Sequence, residues 1–511
     1  MSDSPKSKPI LSRRDILKGT VAAGTAFGIS TSQSDSTAYA KRSNAIIKEN
    51  KKPGTTDWQL TYTKVDPATK FRSPVIEGYV SKASVRAGES IGIKVSTNPA
   101  GPFTIDFYRL GYYGGKGGRH LKTMGPFEGS VQEDPGVGDY RLRECQWSSC
   151  TSLTIPEDWV SGVYLGKLSL VDDRYQSYII FIVRDDREAD LLFQCSDNTW
   201  QAYNRWPANY ALYDDGKSSW SLHSGTKVSY DRPYGKYCQI LDNPLTQGSG
   251  EYLLWEFPLA FWMEKEGYDM TYCSNIDIHQ DYACLERAKG MISIGHDEYW
   301  SLEQFKHVKH ALSEGLNVAF FSANTCCFVS PFEDSATGIP DRIIGRGGRY
   351  GGLSEKEKET MRMGPFNIPD APNEASLIGA RTTTPYNGSD DWTISDDSSW
   401  IFKGTGVKNG DKIPGLVGWE MHGDPDMTIP GINIVAQGTA TNAGGEQAHW
   451  TATTYPGPKG NHVFNAATIF WAQGISAPPG HMPPISHFGR PHGPDERVQK
   501  ITKNILDRFV K

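Results

Sequence analysis

The hydrophobic period of this 511-residue chain changes near residue 188, and that change constrains the fold more than any other feature. From 57 to 187 the apolar residues alternate over short runs bounded by turn residues, at 90–95, 104–108, 162–170 and 177–183. Period-two alternation is the mark of strands with one buried face. The run at 177–183 is apolar throughout, as a central strand is. No stretch in this part has helical period. It therefore reads as a β-sandwich domain over 57–187, immunoglobulin-like or jelly-roll. The polar, Lys-rich residues 41–56 read as a linker.

After 188 strands alternate with helix-length segments. Strands are expected at 191–195, 270–273, 291–294 and 317–321. Helices are expected at 256–266, closed by Gly267, at 280–289, and after Ser301, with Gln304 in the capping-box position. Strand–helix alternation implies right-handed crossovers and a mainly parallel sheet. Residues 214–250 read as a polar insertion, and 333–460 as Gly-rich strands and long loops. A buried segment follows at 463–471, and an amphipathic helix at 498–510. The fold class is α+β and multidomain, with an α/β domain over 188–511.

The first 40 residues read as an address. Arg13 and Arg14 precede a mildly apolar stretch, and Ala38-Tyr39-Ala40 has the small-x-small form of a cleavage site. This predicts a twin-arginine export signal, the translocase as a transient partner, and a periplasmic or secreted protein. Residues 1–40 carry five basic and three acidic side chains, so removing them takes the net charge from -6 to -8. An acidic chain argues against a nucleic-acid partner. No apolar run reaches about 18 residues, so no membrane span is expected. The eight cysteines fit an oxidising compartment in part. Cys145 with Cys150, and Cys273 with Cys284, are the candidate disulfides.

In parallel sheets, ligands bind beyond the carboxyl ends of the strands. Two polar clusters follow apolar strands there: Gly295-His296-Asp297-Glu298-Tyr299-Trp300 and Ser322-Ala323-Asn324-Thr325-Cys326-Cys327. A third, Gly418-Trp419-Glu420-Met421-His422, follows Leu416-Val417. His296, Glu298 and Asn324 are the candidates for catalysis. Each has a plainer alternative. His296 can cap its turn, and Asp297 and Glu298 can favour the N-terminus of the next helix. Asn324 can be a supporting group, and His422 reads as a surface-loop residue.

These clusters resemble the large (beta) subunit of N,N-dimethylformamidase and its relatives. The landmarks are Gly-His-Asp-Glu-Tyr-Trp-Ser, then Ala-Phe-Phe-Ser-Ala-Asn-Thr-Cys. Further ones are Asn198-Thr-Trp-Gln-Ala-Tyr-Asn, Arg232-Pro-Tyr and Tyr108-Arg-Leu-Gly-Tyr-Tyr-Gly-Gly. The resemblance implies a mononuclear iron held by two tyrosines and a glutamate, and a small amide-type substrate. Phenolate and carboxylate are hard donors suited to Fe(III). Tyr299 matches the first tyrosine and Glu420 the glutamate. Where relatives have the second tyrosine this chain has Cys327, a softer donor. The amidase also has a separate small subunit that this chain does not supply. The resemblance thus implies an exported, metal-dependent C–N hydrolase. Two other readings stand beside it. One is a metal-free cysteine hydrolase on Cys327, with a glutamine-amidotransferase-like sheet. The other is a glycan- or envelope-binding protein whose metal site has decayed. The sandwich, lacking a His or carboxylate cluster, reads as a docking or homo-oligomer-forming element.

Overall fold

The computed structural model describes residues 44–511, except 70, 219, 223–224, 237–243, 354, 356–357, 359–367, 369–370, 385 and 484–492. The expected export signal and cleavage site lie outside the described residues, as do parts of the 214–250 and 333–460 segments. Lys41–Lys511 form one compact unit, of mixed α and β structure dominated by sheets.

The alternating runs before residue 188 form two sheets. One has the order Ser84–Arg86, Gln176–Arg184, Gly162–Leu170, Pro102–Leu110, Gly118–Glu128; the other has Ile76–Val80, Ser90–Thr97, Thr151–Thr154. Both contribute to one core, with Ile76, Ile93 and Leu153 from the smaller sheet meeting Phe103, Tyr164 and Phe181 from the larger. Each such side chain, fully buried, contributes about 1.5–3 kcal/mol. Within Gln176–Arg184 the central run from Tyr178 to Val183 is apolar because both its faces are covered. Ile179 and Phe181 face this core. Ile180 and Ile182 border a small cavity with Trp200 and Tyr230 of the later half. Gly118–Glu128 is a mostly exposed edge strand, and its weak alternation gave no strand signal.

A nine-stranded sheet takes every strand position of the later half's centre. Its order is Met270–Cys273, Ala189–Gln194, Ala288–His296, Asn317–Ala323, His462–Asn465, Gln447–Pro456, Asn433–Thr441, Gly388–Thr393, Lys412–Trp419. The first five strands are mutually parallel. The remaining four continue antiparallel, so the sheet is half parallel rather than mainly so. Tight turns such as the one closed by Asn442 and Glu446 join antiparallel neighbours without a crossover.

The helices follow local signals with two corrections. Phe257–Glu266 ends at Gly267, whose φ of 79° suits glycine. Leu302–Ser313 is capped by Ser301, which accepts from the Gln304 N–H. The Gln304 side chain does not close the box; it donates to Gln194 Oε1 at 3.0 Å. The helix expected at 280–289 is cut down to one turn, Ala283–Glu286. Ser274 and Asp277 form a reciprocal capping box that starts Asn275–Gln280 earlier. That single helical turn follows, and the strand begins at Ala288. The supposed linker carries a helix, Ala45–Asn50, whose Glu49 is buried. Neither expected disulfide forms. Cys145, Cys150, Cys273 and Cys284 are free thiols, and the Cys150 thiol instead donates to the Ile93 carbonyl.

Candidate functional site

The parallel strands deliver their polar ends to one buried place. Ala288–His296 ends in His296, and the chain turns at once into Asp297, Glu298 and Tyr299. Asn317–Ala323 ends at Asn324. The backbone here is held in unusual conformations, with Asn324 at φ 50° and Cys326 at φ 56°. Trp419, before Glu420, is at φ 61°. Left-handed non-glycine residues cost energy and collect at functional sites. Glu420 reaches the others because the antiparallel half folds back. Met421 bridges Thr468, which follows the His462–Asn465 strand.

His296 is the hub. Its Nε2 lies 2.5 Å from Glu420 Oε2 and 3.5 Å from Glu298 Oε2. Asn324 Nδ2 donates to Glu420 Oε2 at 2.7 Å. Glu298 accepts from the Tyr203 hydroxyl at 2.7 Å and the Tyr213 hydroxyl at 2.8 Å. The Tyr299 hydroxyl donates to that of Tyr213 at 2.9 Å. His296, Glu298, Asn324, Tyr299 and Glu420 are all buried. Burial opposes charge on His296, but Glu420, and then Glu298 and Glu251, outweigh it and push its pKa up to about 9. Burial and the neighbouring Glu420 push Glu298 up to about 7 against the pull of His296 and its two phenols. Burial first, and Glu298 next, hold the Tyr203, Tyr213 and Tyr299 phenols well above their usual value. They are therefore neutral donors, as the contacts to Glu298 require.

Cys327 packs with Tyr299, Phe328, Tyr203 and Tyr213, and Tyr386 lies against the same cluster. The Tyr386 ring is half-buried. Its hydroxyl is buried without a hydrogen-bond partner among the described residues, within electrostatic reach of Cys327, Glu420 and Glu298. Asn324 Oδ1 and His296 Nδ1 are likewise buried and unpartnered. Native structures leave few such atoms, and three in one cluster point to something that completes them.

Other candidates have structural roles. Asp297 does not cap the next helix. It accepts from Gln194 Nε2 and Ser293 Oγ, each at 2.7 Å, and braces the strand ends. His422 is fully buried, not in a surface loop. Its Nε2 accepts from the Thr325 N–H at 3.1 Å and its Nδ1–H donates to Asn465 Oδ1 at 2.7 Å. Burial lowers its pKa to about 4, so it stays neutral and holds the turn after Asn324. Sequence reasoning missed Tyr203, Tyr213 and Tyr386. Only Tyr203 had a signal, since it lies inside the Asn198–Asn204 landmark. No group of three or more His, Cys, Asp or Glu side chains among the described residues is arranged to hold a metal.

Fold and site together define a mixed α+β protein with paired carboxylates and an imidazole buried at parallel strand ends. The chain belongs to the N,N-dimethylformamidase beta subunit-like family, whose C-terminal model matches residues 104–484, well over half its length. The match begins within the Pro102–Leu110 strand, so it leaves out Ile76–Val80, Ser84–Arg86 and Ser90–Thr97 and takes in the rest of the earlier sheets and the nine-stranded one. No curated protein matches the chain. No described helix is long and apolar enough to cross a membrane.

Proposed function

We propose that this protein is a hydrolase that cleaves an amide or related C–N bond. The observation that carries the reading is the His296–Glu298–Glu420–Asn324 cluster in a chain of this family. Amide hydrolysis needs a group to take a proton from water and another to give one to the departing nitrogen. Glu298, oriented by two phenol donors, is the acceptor. His296, held by Glu420 at 2.5 Å, is the donor. Asn324 donates to the same Glu420 oxygen that meets His296 and holds it in place. Burial keeps competing water away from these contacts.

Two of the three proposed donors, phenol and carboxylate oxygens, suit a hard metal ion; the Cys327 thiol is a softer one. Tyr299 and Glu420 offer phenol and carboxylate oxygens, Cys327 packs beside Tyr299, and the Tyr386 hydroxyl lacks a partner. Tyr299, Glu420 and Cys327 are the residues proposed to hold iron. When bound, it would polarise the substrate carbonyl and lower the pKa of a bound water. The proposal includes twin-arginine export to the periplasm or beyond. It also includes a first half built as an immunoglobulin-like or jelly-roll sandwich and a glutamine-amidotransferase-like parallel half-sheet.

Two measurements test this. Amine release from small amides should fall roughly 10²–10⁴-fold in Glu298→Gln; unchanged turnover would refute the assigned role. Elemental analysis of protein from its native compartment should find about one iron per chain, on the proposed single site. A content far below that, with no gain on reconstitution, would remove the metal and leave the hydrolase reading to the first test.

A further inference from the structure

The site described above is closed. His296, Glu298, Tyr299, Asn324 and Glu420 are each 5% exposed or less, so a substrate enters only when a covering side chain moves. One cover is built of rings. Tyr203 and Tyr213, the two donors to Glu298, have ring centres 4.9 Å apart, and Tyr203 lies 5.2 Å from the His296 ring. Trp220 rests on both, 6.3 Å from Tyr203 and 5.9 Å from Tyr213. Among the described residues packed on this pair, His296 and the Arg346 guanidinium are buried, whereas Trp220 is 46% exposed. Here the ring cluster of the site meets solvent.

The backbone at Trp220 is pinned. The Ser221 N–H donates to the Tyr213 carbonyl at 2.8 Å, and Arg346 Nη2 donates to the Leu222 carbonyl at 3.0 Å. The indole itself is held by its two ring contacts and by the Arg205 guanidinium, 4.4 Å over its face. Arg205 is buried and paired with Asp214 at 3.7 Å, so it stays behind when the indole turns. Ring and cation–π contacts are individually weak, and a half-exposed side chain changes rotamer fast. We infer that Trp220 is the gate of the site and sets the size of the amide it admits. This rests on the amide-hydrolase reading above. A small amide passes with the indole close to its place. A bulky one holds the indole off Tyr203, Tyr213 and Arg205 and forfeits those contacts.

The test is kcat/KM for N,N-dimethylformamide and for N,N-dimethylbenzamide, each divided by its uncatalysed rate. The unaltered chain should favour the small amide by roughly 10–100-fold. Trp220→Ala should cut that advantage roughly tenfold, and Trp220→Phe, which keeps a ring over the pair, about twofold. A merely structural Trp220 would lower both amides together and leave their ratio alone, and an unchanged ratio in Trp220→Ala overturns the inference. Equal turnover of the two amides by the unaltered chain also overturns it and leaves the hydrolase reading intact. That comparison needs no variant, so a misfolded W220A does not shield the idea. If neither amide is hydrolysed, the hydrolase reading fails. Saturation-transfer NMR on the same two amides then decides the inference. A gain in the benzamide signal relative to the formamide signal in Trp220→Ala upholds it, and equal or absent signals overturn it.

Discussion

Two buried charged clusters in this protein are built to opposite specifications. Around Arg109 every polar atom is used. Its Nη1 donates to Glu264 Oε2 at 3.0 Å, to Tyr113 and to the Leu110 carbonyl. Its Nη2 donates to Glu264 Oε1 at 2.7 Å and to the Ser161 carbonyl. Its Nε reaches the Val160 carbonyl. Glu264 also accepts from Asn50 Nδ2 and the Tyr272 hydroxyl. The pair thus ties the Pro102–Leu110 strand to Phe257–Glu266, Met270–Cys273 and the Ala45–Asn50 helix. Around His296, two carboxylates face one imidazole and, among the described residues, three polar atoms have no hydrogen-bond partner. A saturated network rigidifies, whereas a partly satisfied one is costly. The difference separates a structural pin from a site awaiting a ligand.

The largest effect should come from breaking the pin. Arg109→Met leaves Glu264 buried without its counter-charge and should cost about 3–5 kcal/mol in denaturant unfolding. Pairing it with Glu264→Leu should recover much of that loss, because no lone charge then remains. If the single variant lost under about 1 kcal/mol, the saturated cluster would not be the pin described here.

Asp197 is an intermediate case. It accepts from the Asn275 N–H and the Tyr230 hydroxyl, but no ion pair to it is found among the described residues, and Asp277 adds a like charge. Burial is the main cause that raises its pKa to about 7. A carboxyl raised in the folded state is fully stabilising below its unfolded pKa, near 4. That contribution is lost as pH rises toward 7. Relative to Asp197→Asn, the unaltered chain should lose stability between about pH 4 and pH 7, by a few kcal/mol at most. The difference in unfolding midpoints across that range reads it. A flat difference would show that Asp197 titrates normally.

How much of this was legible depended on how local each cause is. His296 and Asn324 follow from apolar runs that end in polar residues, a signal written in a few adjacent positions. The Ser274 capping box was equally local, yet the apolar pattern of 280–289 masked it, and the helix was set too late. The Glu420 approach depends on the Met421–Thr468 bridge, a contact between distant segments that no short window encodes. Tyr213 and Tyr386 come from irregular stretches whose positions are set by packing alone. The antiparallel half of the large sheet was obscured for a related reason. Its Gly-rich strands carry weak alternation, and their pairing is decided by turns and by neighbours already in place.

The smallest effect on stability should fall at the site, and its sign makes the comparison sharpest. Glu298→Gln removes one of two carboxylates that compete for His296; one of the two phenols keeps an acceptor at Oε1, and the other must turn to accept from the new amide N–H. The buried site then carries less uncompensated charge. Stability should therefore change by less than about 1 kcal/mol or increase, since sites that hold function are often not optimal for folding. Turnover should fall by the 10²–10⁴-fold given above for a lost proton acceptor. Arg109→Met should do the reverse, lowering stability while the remaining folded fraction keeps its turnover per molecule. Unfolding curves and activity normalised to folded protein, measured on both variants, separate the two patterns. If Glu298→Gln destabilised as much as Arg109→Met, Glu298 would belong to the structural frame, and the proton-acceptor role would pass to another group.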